Sequence, residues 1–180
     1  SFDDLKALKA HQGGSIRVHL KIDTGMTRLG VPLQQAEAFL QEANQIDGIE
    51  IEGLYSHFAT ADEGDLSYAN DQLNKFNNVL AIAEKLGINP TFVHCSNSGA
   101  ILNLPESRFN MVRVGMLLYG AFPSDKVPQD LPIKPVMTFT APVVEIRDVK
   151  AGTPISYGGV YTTEKDTRIA VVQAGFADGV

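Results

Sequence analysis

Hydrophobic and polar residues alternate strictly through "SIRVHLKI": Ile16, Val18, Leu20 and Ile22 fall on one face, Arg17, His19 and Lys21 on the other. A period of two predicts a strand with one face in a core. Residues 3–10 suit a helix, closed by Gly13-Gly14. "PLQQAEAFLQEAN" is helical, with Pro32 near its start, where the missing N–H costs nothing. "IEIEGLYSHFA" reads as a second strand ending at His57. Residues 66–86 form a long helix with Leu73, Phe76, Leu80 and Ala83 as its inner stripe and Gly87 as its stop. "TFVHCSNS" and "NMVRVGMLLYG" read as a third and a fourth strand. Strands alternating with helices predict an α/β fold with a parallel sheet and covered faces.

The texture changes near residue 131. From there to the end, β-branched runs are separated by Pro/Gly turns and no helical period is found. The expected division is therefore an α/β domain over 1–130 and the start of an all-β domain over 131–180. The ends read as those of a piece cut from a longer chain. Ser1 leads straight into "FDDLKALKA", like the tail of a helix, and "RIAVVQAGFADG" delivers a strand just before Val180.

Composition narrows the function. The 180 residues are 44% hydrophobic, enough for a core, and carry a net charge of −6. No basic block is present, so nucleic acid and anionic membrane are poor partners. No apolar run approaches the roughly 20 residues that span a bilayer. No signal peptide shows at the start. The single cysteine, Cys95, excludes an internal disulfide and suits a reducing, cytoplasmic compartment.

In a (β/α) barrel the active site lies at the C-terminal ends of the strands. Lys21, His57, Asn97-Ser98 and Arg113 all fall at or near such ends. Arg113 sits between Val112 and Val114, whose side chains point the other way, and a charge inside a barrel is costly unless paired or used. Each residue alone has a plain structural reading: a snorkelled lysine, a satisfied histidine, a helix cap, a buried ion-pair member. Tyr157 in "SYGG" alone reads as a packed turn tyrosine. Together they predict a barrel with a basic, anion-binding rim. Ser98 at a helix start suits phosphate, and Gly115 permits close backbone approach. A phosphorylated aromatic cofactor with His57 beside its ring fits; so does a plain sugar phosphate.

"VHLKIDTGMTRLG", "GLYSHFATADE", "HCSNSGAIL", "MVRVGMLLYG", "ISYGGVYT" and "GFADG", in this order, closely resemble alanine racemase. The resemblance runs over nearly the whole chain and implies the latter part of a (β/α)8 TIM-type barrel followed by the start of a C-terminal β domain. It implies pyridoxal 5'-phosphate (PLP) as cofactor, no metal, alanine as substrate, and a head-to-tail homodimer. The reaction it implies is interconversion of L- and D-alanine by two-base proton transfer, supplying D-alanine for peptidoglycan.

By the same resemblance, Lys21 stands where the family's lysine is often carbamylated, which turns a cation into an anion able to pair with Arg28. Arg28 would meet the cofactor's phenolic oxygen and the substrate carboxylate. Arg113 would donate to the pyridine nitrogen, and His57 would lie against the ring. An arginine there does not give up its proton, so the ring stays unprotonated and return of the proton to the α-carbon is favoured over transamination. Ser98, with the backbone of Gly115 and Met116, would hold the phosphate. Tyr157 would be the acid/base on one face of the α-carbon, reaching into the partner's site. The family's Schiff-base lysine is expected upstream of Ser1, so the chain alone is expected to be inactive. One departure is Phe176, where the family's "GYADG" has tyrosine. The rival readings are a non-catalytic PLP carrier, which lacks a segment like that around Tyr157, a racemase for another small amino acid such as serine, a fold-sharing decarboxylase, and a PLP-free sugar-phosphate enzyme.

Overall fold

A computed structural model describes residues 2–11 and 14–179. They form two compact units, 1–136 and 137–180.

The first unit is built of strands and helices in alternation. Helix α1 (Phe2–His11) precedes β1 (Ile16–Asp23), a short β2 (Val31–Pro32), α2 (Ala36–Ala43), β3 (Ile49–Tyr55), α3 (Ser67–Lys85), β4 (Phe92–His94) and α4 (Ser98–Asn103). The strands pair in the order β2-β1-β3-β4, all parallel. The alternation in β1 is realised: Leu20 and Ile22 are buried while Arg17 is exposed. Leu20, Ile22 and Leu54 join Leu40 of α2 and Phe76, Val79 and Ala83 of α3 in one apolar cluster. The helices thus cover one face of the sheet, which leaves the other face to the polar residues.

Helix α3 spans nearly the expected range. Asp65 Oδ1 accepts the N–H of Ser67 at its start (2.8 Å). Gly87 (φ 72°) turns the chain out, and Ile88 N–H returns to the carbonyl of Ala83 at 2.9 Å. Its inner stripe holds Leu73, Phe76 and Ala83 as expected, with Val79 buried instead of the half-buried Leu80. The stripe also contains a fully buried Gln72. Of the Gly13-Gly14 stop after α1, Gly13 lies outside the described residues, and Gly14 has φ 98°.

Three expectations are corrected. The second strand ends at Tyr55, not His57, because beyond it the backbone finds only one ladder-like bond, Ser56 N–H to the carbonyl of His94. The helix of residues 32–44 begins as a 3-10 turn, Leu33–Gln35, while Pro32 still pairs with β1. The segment "NMVRVGMLLYG" is not a strand. It makes one isolated bridge, Met111 with His94, and one further bond, Arg113 N–H to the carbonyl of Ser96 at 3.0 Å. It then turns at Gly115 into a 3-10 turn, Met116–Tyr119.

The second unit contains β5 (Val143–Val149) paired antiparallel with β8 (Thr167–Val172), and β6 (Pro154–Ile155) paired antiparallel with β7 (Tyr161–Thr162). Thr163 pins its turns: its buried hydroxyl donates to the carbonyl of Lys150 and accepts the N–H of Thr153. Arg168 forks onto Asp148 at 2.7 and 3.0 Å.

Candidate active site

Parallel register sets the polar face in rows. Lys21, Tyr55 and His94 are neighbours across β1, β3 and β4, and His19, Gly53 and Phe92 form the next row. Side chains two residues apart on a strand share a face, so both rows project from the side opposite the helices.

Tyr55 is the plate of this face. The His94 ring stacks on it at 4.7 Å between centroids and 14° between planes. The guanidinium of Arg113 lies 5.3 Å from its centroid, and Lys21 Nζ lies 6.0 Å from it. An aromatic face attracts cations, which offsets part of the cost of gathering two of them.

Arg113 is held by several acceptors. Nη1 donates to His94 Nδ1 at 2.6 Å, and Nη2 donates to the carbonyl of Ser56 at 2.7 Å and to His57 Nδ1 at 3.1 Å. A guanidinium has five N–H donors, so the Nε–H and one Nη1 hydrogen are not engaged by these contacts. Burial and then the nearby Arg113 charge push both His57 and His94 down to about 4, with smaller contributions from Lys21 and Arg28 at His57 and from His19 at His94. Both imidazoles are neutral at pH 7 and receive from Arg113 at Nδ1, so each carries its proton on Nε2.

Lys21 is half-buried at the end of β1. Burial and the charges of Arg28 and Arg113 lower its proton affinity, against a smaller opposing pull from Asp23. Arg28 sits on the exposed loop that follows. That loop is shaped by Asp23, whose Oδ1 accepts the N–H of Gly25 at 2.9 Å and of Thr27 at 3.0 Å. Thr27 is held at φ 52°, a left-handed conformation that a β-branched residue disfavours. Gly30 (φ 118°) then lets the chain close on β1: a Cβ there would lie 3.0 Å from the carbonyl of Lys21.

Helix α3 grips both loops from behind. Tyr68 donates to the carbonyl of Gly25 at 2.9 Å. Gln72, one turn later, accepts the N–H of Ala59 at 2.9 Å and donates to the carbonyl of His57 at 3.1 Å and to Thr24 Oγ1 at 3.4 Å. Thr24 in turn bonds Ser56 Oγ at 2.8 Å.

Ser98 and the 115–117 turn come together. Ser98 Oγ accepts the N–H of Gly115 at 3.0 Å and of Leu117 at 3.3 Å, so its own proton is free to donate. Met116 begins the 3-10 turn beside it and is exposed. The cap of α4 is Asn97, whose Oδ1 accepts the N–H of Ala100 at 3.0 Å. Ser98 is therefore not the cap of this helix.

Tyr157 and Phe176 belong to the second unit. Tyr157 opens a 3-10 turn, Tyr157–Gly159, behind Ser156 (φ 58°), and is 95% exposed; Phe176 opens another, Phe176–Asp178. The structure thus gathers Lys21, His57, Arg113 and the Arg28 loop around Tyr55, and it joins Ser98 to Gly115, two residues after Arg113.

Sequence reasoning passed over Tyr55, His94, Asp23 and Gln72. Tyr55 and His94 could have been found by following the polar face of β1 across its neighbours. Gln72, a polar residue one position from Leu73 on the inner stripe, was a second available signal.

Among the described residues, no helix is long and apolar enough to cross a membrane. The family model for the alanine racemase N-terminal domain matches residues 1–123, and that for the C-terminal domain matches 136–180. The alanine racemase of Desulfovibrio desulfuricans is 40% identical over 177 residues, covering 98% of this chain and 48% of that protein. Alanine racemase 2 of Caldanaerobacter subterraneus is 41% identical over 178 residues, covering 98% and 46%. Among solved structures, the alanine racemase of Streptomyces coelicolor aligns with a TM-score of 0.84 at 35% identity, covering 99% of this chain and 48% of that one. That of Bacillus anthracis, solved with bound L-Ala-P, aligns with a TM-score of 0.75 at 35% identity, covering 99% and 47%. The chain spans about half the length of the curated relatives it matches. With both family models matched in order and the barrel-type and β units both present, this chain belongs to the alanine racemase family.

Proposed function

We propose that the protein racemises alanine with PLP as cofactor, and that these residues supply one side of its active site. The observation that carries the reading is Arg113: a guanidinium fixed by His94, His57 and the carbonyl of Ser56, yet with Nε–H and one Nη1 hydrogen still to give. Such a donor suits a ring nitrogen that must be hydrogen-bonded and not protonated. At the other end, the Ser98 hydroxyl beside the Gly115–Leu117 backbone suits a phosphate. The two features together fit PLP better than a plain sugar phosphate.

When bound, PLP acidifies the α-C–H of an amino acid attached to it. Arg113 would donate to the ring nitrogen and leave it unprotonated, which would limit how far charge spreads into the ring and favour return of the proton to carbon. Neutral His57, pinned at Nδ1, would lie against the ring without adding a charge. Arg28, on the loop tied by Asp23, receives the substrate carboxylate. Lys21 is a modification site on this reading: its lowered proton affinity raises the fraction of free amine, which adds to CO2 as a carbamate and then faces Arg28 as an anion. Tyr157 moves a proton on one face of the α-carbon, within a cytoplasmic homodimer where it serves the partner's site. A second base is needed on the opposite face of the α-carbon, and the lysine that anchors PLP would supply it. The D-alanine formed feeds peptidoglycan.

The test is exchange of the alanine α-proton for deuterium by the holoenzyme in D2O, alongside conversion of L- to D-alanine. Exchange with conversion supports the reading. PLP binding with no exchange would assign the protein to a non-catalytic carrier. Faster exchange with serine than with alanine would move the substrate.

A further inference from the structure

The hydrogen bonds that leave Arg113 do not stop at His94. His94 is 3% exposed, receives from Arg113 at Nδ1 and carries its proton on Nε2. That nitrogen lies 2.8 Å from His19 Nδ1, to which it donates. His19, an acceptor at Nδ1, holds its proton on Nε2, which faces Glu52 Oε2 at 3.6 Å. Glu52 Oε1 accepts from Arg17 at 2.6 Å, where the chain of contacts reaches solvent. From Arg113 through His94 to His19 each donor points away from Arg113, and beyond His19 the Glu52 carboxylate receives Arg17 from the solvent side.

The fold makes room for this chain. His19 sits opposite Gly53, and a Cβ on that glycine would lie 2.6 Å from the His19 ring. The ring is kept in place by Phe92, stacked at 5.6 Å and 27°. The register slips between Val18 and His19, so that Ile51 and Gly53 have partners in β1 and Glu52 is the extra residue of a bulge. Bulges re-aim side chains, and this one brings Glu52 to Arg17 and His19.

We propose that His94, His19 and Glu52 are positioning residues that fix the Arg113 guanidinium: hydrogen bonds run one way through His94 to His19, whose Nε2 faces the Glu52 carboxylate. The proposal rests on the reading that Arg113 faces the cofactor's ring nitrogen. The anion at the far end makes each imidazole a stronger acceptor toward the next donor. Arg113 is then held by Nη1 in one orientation, with its free N–H groups set for the ring.

The experiment is nitrogen-15 NMR of the histidines, in the holoenzyme and its cofactor-free form near neutral pH. Expected is a neutral His94, with the proton on Nε2 and Nδ1 bare in both His94 and His19. In His19→Phe, the His94 Nε2 proton should exchange with water about tenfold faster, and kcat should fall by about three- to tenfold with KM for alanine within about twofold, the scale of one hydrogen bond. Gly53→Ala removes no titratable group but displaces the His19 ring, and should act in the same direction. Glu52→Gln, which keeps the shape, should weaken the Nε2 proton signal of His19 and serves if the other variants fail to fold. A proton on His94 Nδ1, a charged His94, or unchanged exchange and kcat in His19→Phe would overturn the relay. Tautomers as expected, with His94 and Arg113 signals unmoved by PLP, would leave the relay standing and overturn the placement of Arg113 on the ring.

Discussion

Asp23 holds Thr27 in a left-handed conformation: Oδ1 accepts the Thr27 N–H at 3.0 Å while Thr27 keeps φ 52°. The same oxygen takes the N–H of Gly25. One carboxylate therefore sets the backbone from which Arg28 projects, and the strain at Thr27 is sustained by charge-assisted bonds.

Asp23→Ala should release this loop. Two bonds to a charged acceptor are lost and Thr27 relaxes, for a net cost of about 1 to 2 kcal/mol by thermal unfolding. Arg28 loses its fixed origin, so KM for alanine should rise about tenfold or more, with a smaller drop in kcat. Burial opposes ionisation of Asp23, but the N–H groups of Thr27, Gly25 and Met26 and the Lys21 charge outweigh it, so its carboxyl lies below its usual range. Its stabilising contribution is present above the unfolded-state value and fades as pH falls through the lowered one. The variant should therefore lose part of the wild type's acid dependence.

Gln72 gives the second prediction. It is fully buried and joins the Thr24 loop to the His57 loop. Gln72→Leu leaves the Ala59 N–H and the His57 carbonyl without partners, at about 3 kcal/mol in denaturant unfolding. If His57 swings away from Arg113, its titration should rise from about 4 toward the ordinary histidine range, readable by NMR. A stability loss with His57 unmoved would mean that Gln72 supports the loop without placing the ring.

Much of this arrangement was legible in the sequence. The period-two pattern of residues 15–22 located both the buried face and the basic face of β1, because alternation is a local property. The motifs around Arg113 and Ser98 pointed to side chains that the fold engages, Arg113 with His94 and His57 and Ser98 with the Gly115–Leu117 backbone. What was not legible depended on register. Tyr55 becomes a plate for Lys21, His94 and Arg113 only because β3 pairs with β1 through a bulge. The segment 110–120 has strand-like composition, yet it bonds to β4 through a single bridge and one further hydrogen bond, so its β-branched residues do not make it a strand. Gln72 looks like a surface residue until the helix it sits on is seen to back two loops.

The two depressed histidines predict the acid limb of stability. His57 and His94 titrate at about 4 in the fold against 6.5 when unfolded. Between these values the unfolded chain binds more protons than the folded one, so stability rises with pH across that window and is flat with respect to these groups above it. The denaturant midpoint of the holoenzyme should therefore fall as pH drops from about 6.5 to about 4. His94→Asn should flatten part of that slope. A midpoint independent of pH across the window would show that the imidazoles remain charged in the fold.

Lys21 gives the last prediction, and it separates two chemistries for one side chain. Burial and the charges of Arg28 and Arg113 make its amine easier to deprotonate than an ordinary lysine. A free amine can attack PLP or CO2. Its place at the end of β1, facing the Arg28 loop and the Tyr55 ring, favours the smaller electrophile, because the carbamate formed is an anion beside two arginines. In that step the Nζ lone pair forms a C–N bond to carbon, one C=O pair moves onto oxygen, and the nitrogen proton leaves to solvent. Carbon-13 NMR of holoenzyme equilibrated with labelled CO2 should show one carbamate signal that disappears in Lys21→Gln. Borohydride reduction with PLP, followed by mass spectrometry, should leave Lys21 without a pyridoxyl adduct. Lys21→Gln should raise KM for alanine about tenfold, as Arg28 loses its anionic partner, and added short carboxylic acids should restore part of the loss. A stoichiometric pyridoxyl adduct at Lys21 would overturn the carbamate and make Lys21 the residue that carries the cofactor.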